Sequence, residues 1–125
     1  DNDLSSERFI SSDAAEIKKL LKSFPDKDVT PLGLFKWVQA NIKNGPYTLF
    51  DLGALAALEQ KEADCTDSSY LLAALYRASS VPARVMGGFV LDGSRKIETR
   101  AFHNWVEFYH EGAWRVADAN LGHYD

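Results

Sequence analysis

The stretch that decides the fold is AFHNWVEFYHEGAWRVAD, residues 101–118. Ala101 to Tyr109 is rich in aromatic and β-branched residues and reads as a strand. Glu111-Gly112 reads as a turn, and Ala113 to Ala117 as the returning strand. If Glu111 and Gly112 form a two-residue loop, His110 faces Ala113 and Trp105 faces Asp118. His103 then lies on the same sheet face, one diagonal step from Asp118, a separation of roughly 7–8 Å at the backbone. A four-residue loop, Tyr109 to Gly112, sets His103 directly opposite Asp118. Both registers put the imidazole and the carboxylate on one face, whereas a three-residue loop would put them on opposite faces.

Reading outward, Ala83 to Leu91 is a further strand that follows Pro82 and ends at the turn signal Asp92-Gly93-Ser94. Gly87-Gly88 inside it reads either as a bulge or tight packing, or as a place where a substrate backbone passes closely. Before this strand stands a helix. Asp64 is its N-cap, Cys65 its first residue, and Asp67 completes a capping-box pattern. Its apolar positions, Leu71, Leu72, Ala74, Leu75 and Ala78, form a stripe broad enough to predict a central, mostly buried helix.

The first half of the chain is helical. Asp1 to Ser12 reads as an irregular lead-in anchored by Leu4, Phe9 and Ile10. Asp13 and Glu16 form a capping box ahead of the apolar face Ile17, Leu20, Leu21 and Phe24, and Pro25 ends that helix. Thr30-Pro31 starts a second helix with Leu34, Trp37, Val38 and Ile42 inward, and Asn44-Gly45-Pro46 stops it. Asp51 is a cap for a short third helix through Leu52, Leu55, Ala56 and Leu58. Glu59 to Ala63 reads as a link. Helices first and an antiparallel meander after them predict an α+β fold. A length of 125 residues with 46% hydrophobic and 26% charged composition suits one domain with one core. The abrupt start, Asp1-Asn2-Asp3, reads as that of a piece cut from a longer protein.

The bulk properties exclude several function classes. A net charge of −4 offers no electrostatic case for nucleic acid or an anionic membrane surface. No apolar run is long enough for membrane insertion as a spanning helix. There is no Cys-x-x-Cys, His-Glu-x-x-His or calcium-loop pattern, so neither a metal nor a cofactor is expected. His110 at the hairpin turn and His123 near the last residue read as surface histidines. Trp37, Trp105 and Trp114 read as core. One cysteine excludes an internal disulfide and says nothing about compartment.

That single cysteine carries the chemistry. A lone thiol is more often a small buried hydrophobe than a nucleophile. Cys65, however, opens a capped helix, where free N–H groups and the dipole favour a thiolate. Its own backbone N–H can also donate to an oxyanion. His103 is placed to take the thiol proton, and Asp118 to orient the imidazole. Asp64 and Asp67 are anionic neighbours that oppose the thiolate, an effect that an imidazolium at His103 has to outweigh.

In order along the chain, Ala63-Asp64-Cys65-Thr66-Asp67, Leu71 to Arg77, Val81-Pro82-Ala83-Arg84, His103-Asn104-Trp105-Val106-Glu107 and Trp114 to Leu121 resemble the transglutaminase-like superfamily. The segments from Leu4-Ser5-Ser6 through Ile17 and from Trp37-Val38 through Tyr47 resemble the helical lead-in of bacterial members. The resemblance covers nearly the whole chain. It implies a papain-like α+β core and a Cys65-His103-Asp118 triad, the residues that the spacing reaches independently. It also implies cysteine-dependent acyl transfer through a thioester on a protein or peptide substrate, most simply hydrolytic. The alternatives are a protein cross-linking enzyme, or a non-catalytic module that binds peptides on the same fold. Tyr47 and Gln60 are the candidates for a side-chain oxyanion donor, and flanking domains of a longer chain are expected. The chain departs from the family's pattern at Ala63, Ser68, Ser79-Ser80-Val81 and Asn120, none of which removes a triad member.

Overall fold

The computed structural model describes residues 2–45, 52–89, 102–119 and 122–124. Within them the helices are α1 (Ala15–Lys22), α2 (Pro31–Asn41), α3 (Ala54–Gln60) and α4 (Cys65–Ala78). The strands are β1 (Lys43–Asn44), β2 (Glu62–Ala63), β3 (Ala83–Phe89), β4 (Phe102–His110), β5 (Ala113–Asp118) and β6 (His123–Tyr124). β3, β4, β5 and β6 form an antiparallel sheet in that order, while β1 and β2 pair parallel as a two-stranded bridge. The fold is α+β, with the helical half first and the meander after it.

α4 is the central element, as its broad apolar stripe predicts. Leu71, Leu72, Ala73, Ala74, Leu75 and Tyr76 are all buried, in a cluster with Ile17 of α1, Leu34 and Val38 of α2, and Val106 and Phe108 of β4. Burying each of the large side chains stabilises the fold by about 1.5–3 kcal/mol before the entropy of ordering is subtracted. Aromatic rings tie the layers together. Tyr76 meets Phe108 with ring centroids 5.0 Å apart, and Tyr124 of β6 stacks on Phe108 at 5.5 Å. The Tyr76 hydroxyl donates to the Pro31 carbonyl at 2.8 Å, so the one polar atom of this ring is satisfied.

Arg77 closes the far end of α4. Its guanidinium is buried, and it donates to the carbonyls of Ala83 and Ser5, each at 2.8 Å, and to the Glu7 carboxylate at 2.7 Å. One side chain thus fastens the lead-in, α4 and the start of β3. The lead-in is anchored there and by Ile10, with Phe9 stacked on Tyr70 at 5.4 Å. Leu4, expected as an anchor, is exposed.

Helix starts divide into those set locally and those set by neighbours. Thr30 caps α2 by accepting from the Gly33 N–H at 3.0 Å, with Pro31 at the first helical position. Asp13 does not cap α1. The helix begins after Ala14 with no side-chain cap, because Asp13 instead accepts a hydrogen bond from the Ser6 hydroxyl at 2.6 Å. The proposed Asp51 cap, Pro46 and the Asp92-Gly93-Ser94 turn lie outside the described residues. α3 starts after Gly53, whose φ of +95° suits glycine. It turns Ala54 and Ala57 inward and leaves Leu52 exposed. The Glu59–Ala63 link is more ordered than its composition predicts. Glu59 and Gln60 finish α3, and Glu62–Ala63 pairs with Lys43–Asn44.

Trp114 also departs from the sequence reading. It is 41% exposed, with the Arg84 guanidinium 3.9 Å above its ring and Tyr109 at its edge. It sits on the sheet face that points away from α4, so a guanidinium covers it in place of the core. No helix among the described residues is long and apolar enough to cross a membrane.

Candidate active site

Cys65 is the first residue of α4 and is a partly exposed free thiol. The Asp64 side chain caps the helix, accepting from the Asp67 N–H at 3.0 Å. The other half of the expected capping box is absent. The Asp67 carboxylate turns to the start of α3, where it accepts from the N–H groups of Leu52 and Gly53 at 3.0 and 2.9 Å. It therefore holds the two residues that lead into α3, whose first N–H, that of Ala54, goes to the Phe9 carbonyl at 2.9 Å. Ser69 Oγ donates to the Cys65 carbonyl at 2.7 Å and ties the Cys65 backbone to the next turn of the helix.

The hairpin has the two-residue loop. β4 and β5 pair His110 with Ala113 and Val106 with Ala117. Glu111 and Gly112 both take positive φ, 52° and 81°. That is the pair of left-handed residues that matches the twist of the flanking strands. The same register, continued, sets Trp105 opposite Asp118, with His103 one diagonal step away on the same face. The side chains close the gap. His103 Nε2 and Asp118 Oδ2 are in direct hydrogen-bond contact, with the two side chains only 12% and 7% exposed. With Nε2 engaged, Nδ1 is the ring nitrogen left to exchange a proton.

β3 flanks the histidine with a glycine. Gly88 pairs with His103 and Gly87 with Asn104 in a register that runs unbroken from Ala83 to Phe89. The strand carries no bulge at the Gly-Gly pair. A side chain at position 88 would stand about 4.5–5.5 Å from the Cβ of His103, beside the imidazole.

On the opposite face of β4, the Asn104 amide donates to the Thr66 hydroxyl, and both residues are buried. Thr66 follows Cys65 and Asn104 follows His103. One buried hydrogen bond therefore joins the chain neighbours of the two groups that the sequence reading pairs. Sequence reasoning did not assign either residue a role. The only signal was the position of each next to a proposed catalytic residue.

The remaining candidates fare differently. Gln60 ends α3 and, with Leu52, Ala57, Glu62, Asp64 and Asp67, lines a cavity of about 180 Å³ beside the first turn of α4. Tyr47 lies outside the described residues. His110 is half-buried at the hairpin end, 3.3 Å from the Glu111 carboxylate. The backbone of His123 pairs with Asp118 in β6, so this residue is part of the sheet. Among the described residues no group of three His, Cys, Asp or Glu is placed to hold a metal ion.

The chain is similar to known proteins in sequence and in fold. The sequence profile of the transglutaminase-like superfamily matches residues 26–119, a segment that includes Cys65, His103 and Asp118. Among solved structures, a candidate cysteine protease from Cytophaga hutchinsonii superposes with a TM-score of 0.77 at 25% identity, covering 97% of this chain and 42% of that one. The periplasmic domain of TgpA from Pseudomonas aeruginosa superposes with a TM-score of 0.67 at 17% identity, covering 96% of this chain and 46% of that one. The same domain bound to ethylmercury gives 0.66 at 17% identity, with 96% and 48% covered. The chain spans less than half the length of these structures. No curated protein sequence matches it.

Proposed function

The chain belongs to the transglutaminase-like superfamily, and from that premise we propose that it is a cysteine-dependent amide hydrolase with Cys65 as nucleophile, His103 as base and Asp118 as the residue that orients the base. Residues 1–125 act as a single catalytic domain in this reading, and the substrate is a protein or peptide.

The observation that carries the proposal is the His103–Asp118 contact on a strand tied, through Asn104 and Thr66, to the first turn of the Cys65 helix. In the proposed mechanism, His103 Nδ1 takes the thiol proton as the Cys65 sulfur attacks the amide carbonyl carbon. The tetrahedral oxyanion accepts from the Cys65 backbone N–H, which has no intrahelical acceptor. As the intermediate collapses, the C–N bond breaks and His103 gives its proton to the departing amine, leaving a thioester. Water then attacks the thioester, His103 takes its proton, and the acid leaves as the thiol is restored. Asp118 holds the ring through Nε2 throughout. Gln60, beside the first turn of α4, and Tyr47, which lies outside the described residues, are the two candidates for a side-chain oxyanion donor.

Two measurements test this reading. The first is the rate of Cys65 alkylation by iodoacetamide across pH. Cys65 should react faster than an unperturbed thiol below neutral pH, and His103→Ala should remove the advantage. If Cys65 reacts like a free thiol and His103→Ala changes nothing, the domain is a non-catalytic module. The second is incubation with a glutamine peptide and a labelled primary amine. Release of ammonia or peptide fragments without label supports hydrolysis, whereas amine incorporation without hydrolysis replaces that assignment with cross-linking.

A further inference from the structure

We propose that Asn104 is a positioning residue, whose hydrogen bond to Thr66 sets the approach of His103 to Cys65. The inference rests on the reading of Cys65 and His103 given above and deepens it.

β4 presents Asn104, Val106 and Phe108 to the helical layer, and all three are buried. Val106 and Phe108 pack by apolar contact, which fixes how far α4 stands from the sheet. Such contact is non-directional, so it resists sliding of the helix along the strand only weakly. Of the three, Asn104 alone is polar, and its amide–hydroxyl bond is directional. It therefore fixes the axial position of α4 against β4 at the end that carries Cys65, while Arg77 holds the other end of α4 to the start of β3. Its location makes the control short. The bond lies one residue from the thiol on one side and one residue from the imidazole on the other. Ser69 fixes the Cys65 carbonyl within the same turn of the helix, so a displacement of Thr66 carries Cys65 with it.

Burial makes the bond selective for one arrangement. Neither group is open to bulk water, so a shift that parts them leaves a desolvated amide and hydroxyl without partners. Proton transfer between sulfur and nitrogen depends steeply on their separation. A misplacement of about 1 Å at a reacting centre can cost about a hundredfold in rate. A device that holds this distance acts on reactivity well beyond its effect on folding.

The test uses iodoacetamide alkylation of Cys65, the chain's single cysteine, followed from pH 5 to 9 alongside thermal unfolding. Thr66→Val keeps the shape of threonine and removes the hydroxyl, and Thr66→Ser keeps the hydroxyl. Asn104→Ala breaks the bond from the other side, so a folding defect peculiar to one variant does not decide the result. We expect Thr66→Val and Asn104→Ala each to slow alkylation near pH 6 by about tenfold and to flatten its pH profile. Thr66→Ser should retain the wild-type profile, and the double variant should be no slower than the slower single one. The proposal is overturned if Thr66→Val and Asn104→Ala keep the wild-type pH profile while His103→Ala loses it. In that case the catalytic reading stands without it. If His103→Ala also keeps the wild-type profile, the catalytic reading falls and takes this proposal with it.

Discussion

Along the first turn and a half of α4 and its cap, the buried residues are Asp64, Thr66, Asp67, Ser68 and Ser69. Along the next two turns they are Leu71, Leu72, Ala73, Ala74, Leu75 and Tyr76. Both stretches are withdrawn from water to a similar degree, yet they are filled with opposite chemistry. The apolar stretch stabilises simply by being buried. The polar stretch has to be satisfied group by group, and it is. Asp64 and Asp67 accept backbone N–H bonds, Thr66 accepts from Asn104, and no buried side-chain nitrogen or oxygen among the described residues lacks a partner. Hydrogen bonds of this kind return only about 0.5–1.5 kcal/mol each, less than apolar side chains of the same volume would. What they add is direction. One part of the helix holds the fold together, and the other, in the reading proposed above, holds the thiol in place.

This contrast can be broken by experiment, and the largest effect belongs to the apolar part. Leu72→Ala should cost about 2–5 kcal/mol of stability in urea unfolding, while Cys65 in the fraction that remains folded alkylates as in the wild type. A change in Cys65 reactivity as large as that of His103→Ala would show that the two stretches are not separable. Next comes the polar end. His103→Ala should slow alkylation of Cys65 near pH 6 by about a hundredfold with the unfolding temperature held within a few degrees. Asp118→Ala should follow it in direction, with loss of activity far exceeding loss of stability. A loss of several kcal/mol on Asp118→Ala would instead mark that carboxylate as structural.

The third prediction concerns pH and returns to the apolar part. Burial, and to a lesser extent the neighbouring Tyr124 phenol, push the Tyr76 hydroxyl well above the ordinary phenol range. The folded state therefore keeps this proton at pH values where the unfolded chain has released it. Its stability is unaffected below about pH 10 and then falls by about 1.4 kcal/mol per pH unit for this group as pH rises further. Tyr76→Phe should flatten the alkaline limb of a stability–pH curve, and an unchanged limb would refute the assignment. The smallest effect is at the helix cap. Asp64→Ala should cost about 1 kcal/mol, and it should show in unfolding midpoints without altering the cooperativity of the transition.

Much of this was legible in the sequence because the rules involved act over a few residues. Thr30-Pro31 and Asp64 mark helix starts through bonds that close within three residues. The alternation of strand residues placed His103 and Asp118 on one face, and the short Glu111-Gly112 turn left few registers to choose between. The failures share a different feature. Asp13 satisfies Ser6 and not its own helix. Asp67 holds the residues that lead into α3, fourteen and fifteen positions upstream, in place of closing its own capping box. Trp114 is covered by Arg84 from a strand with which its own does not pair. In each case the side chain could be satisfied in two ways, and a distant element supplied the partner that won.

The sequence by itself therefore determined the order of elements, the thiol at a helix start, and the shared face of imidazole and carboxylate, because period and capping are local. Only the tertiary structure decided that Asn104 reaches Thr66 across 38 residues of chain, that Gly88 stands beside His103, and that Asp67 serves α3. Those partners lie on elements far apart in the chain and meet only once α4 has docked on the sheet, a long-range event that no short stretch encodes.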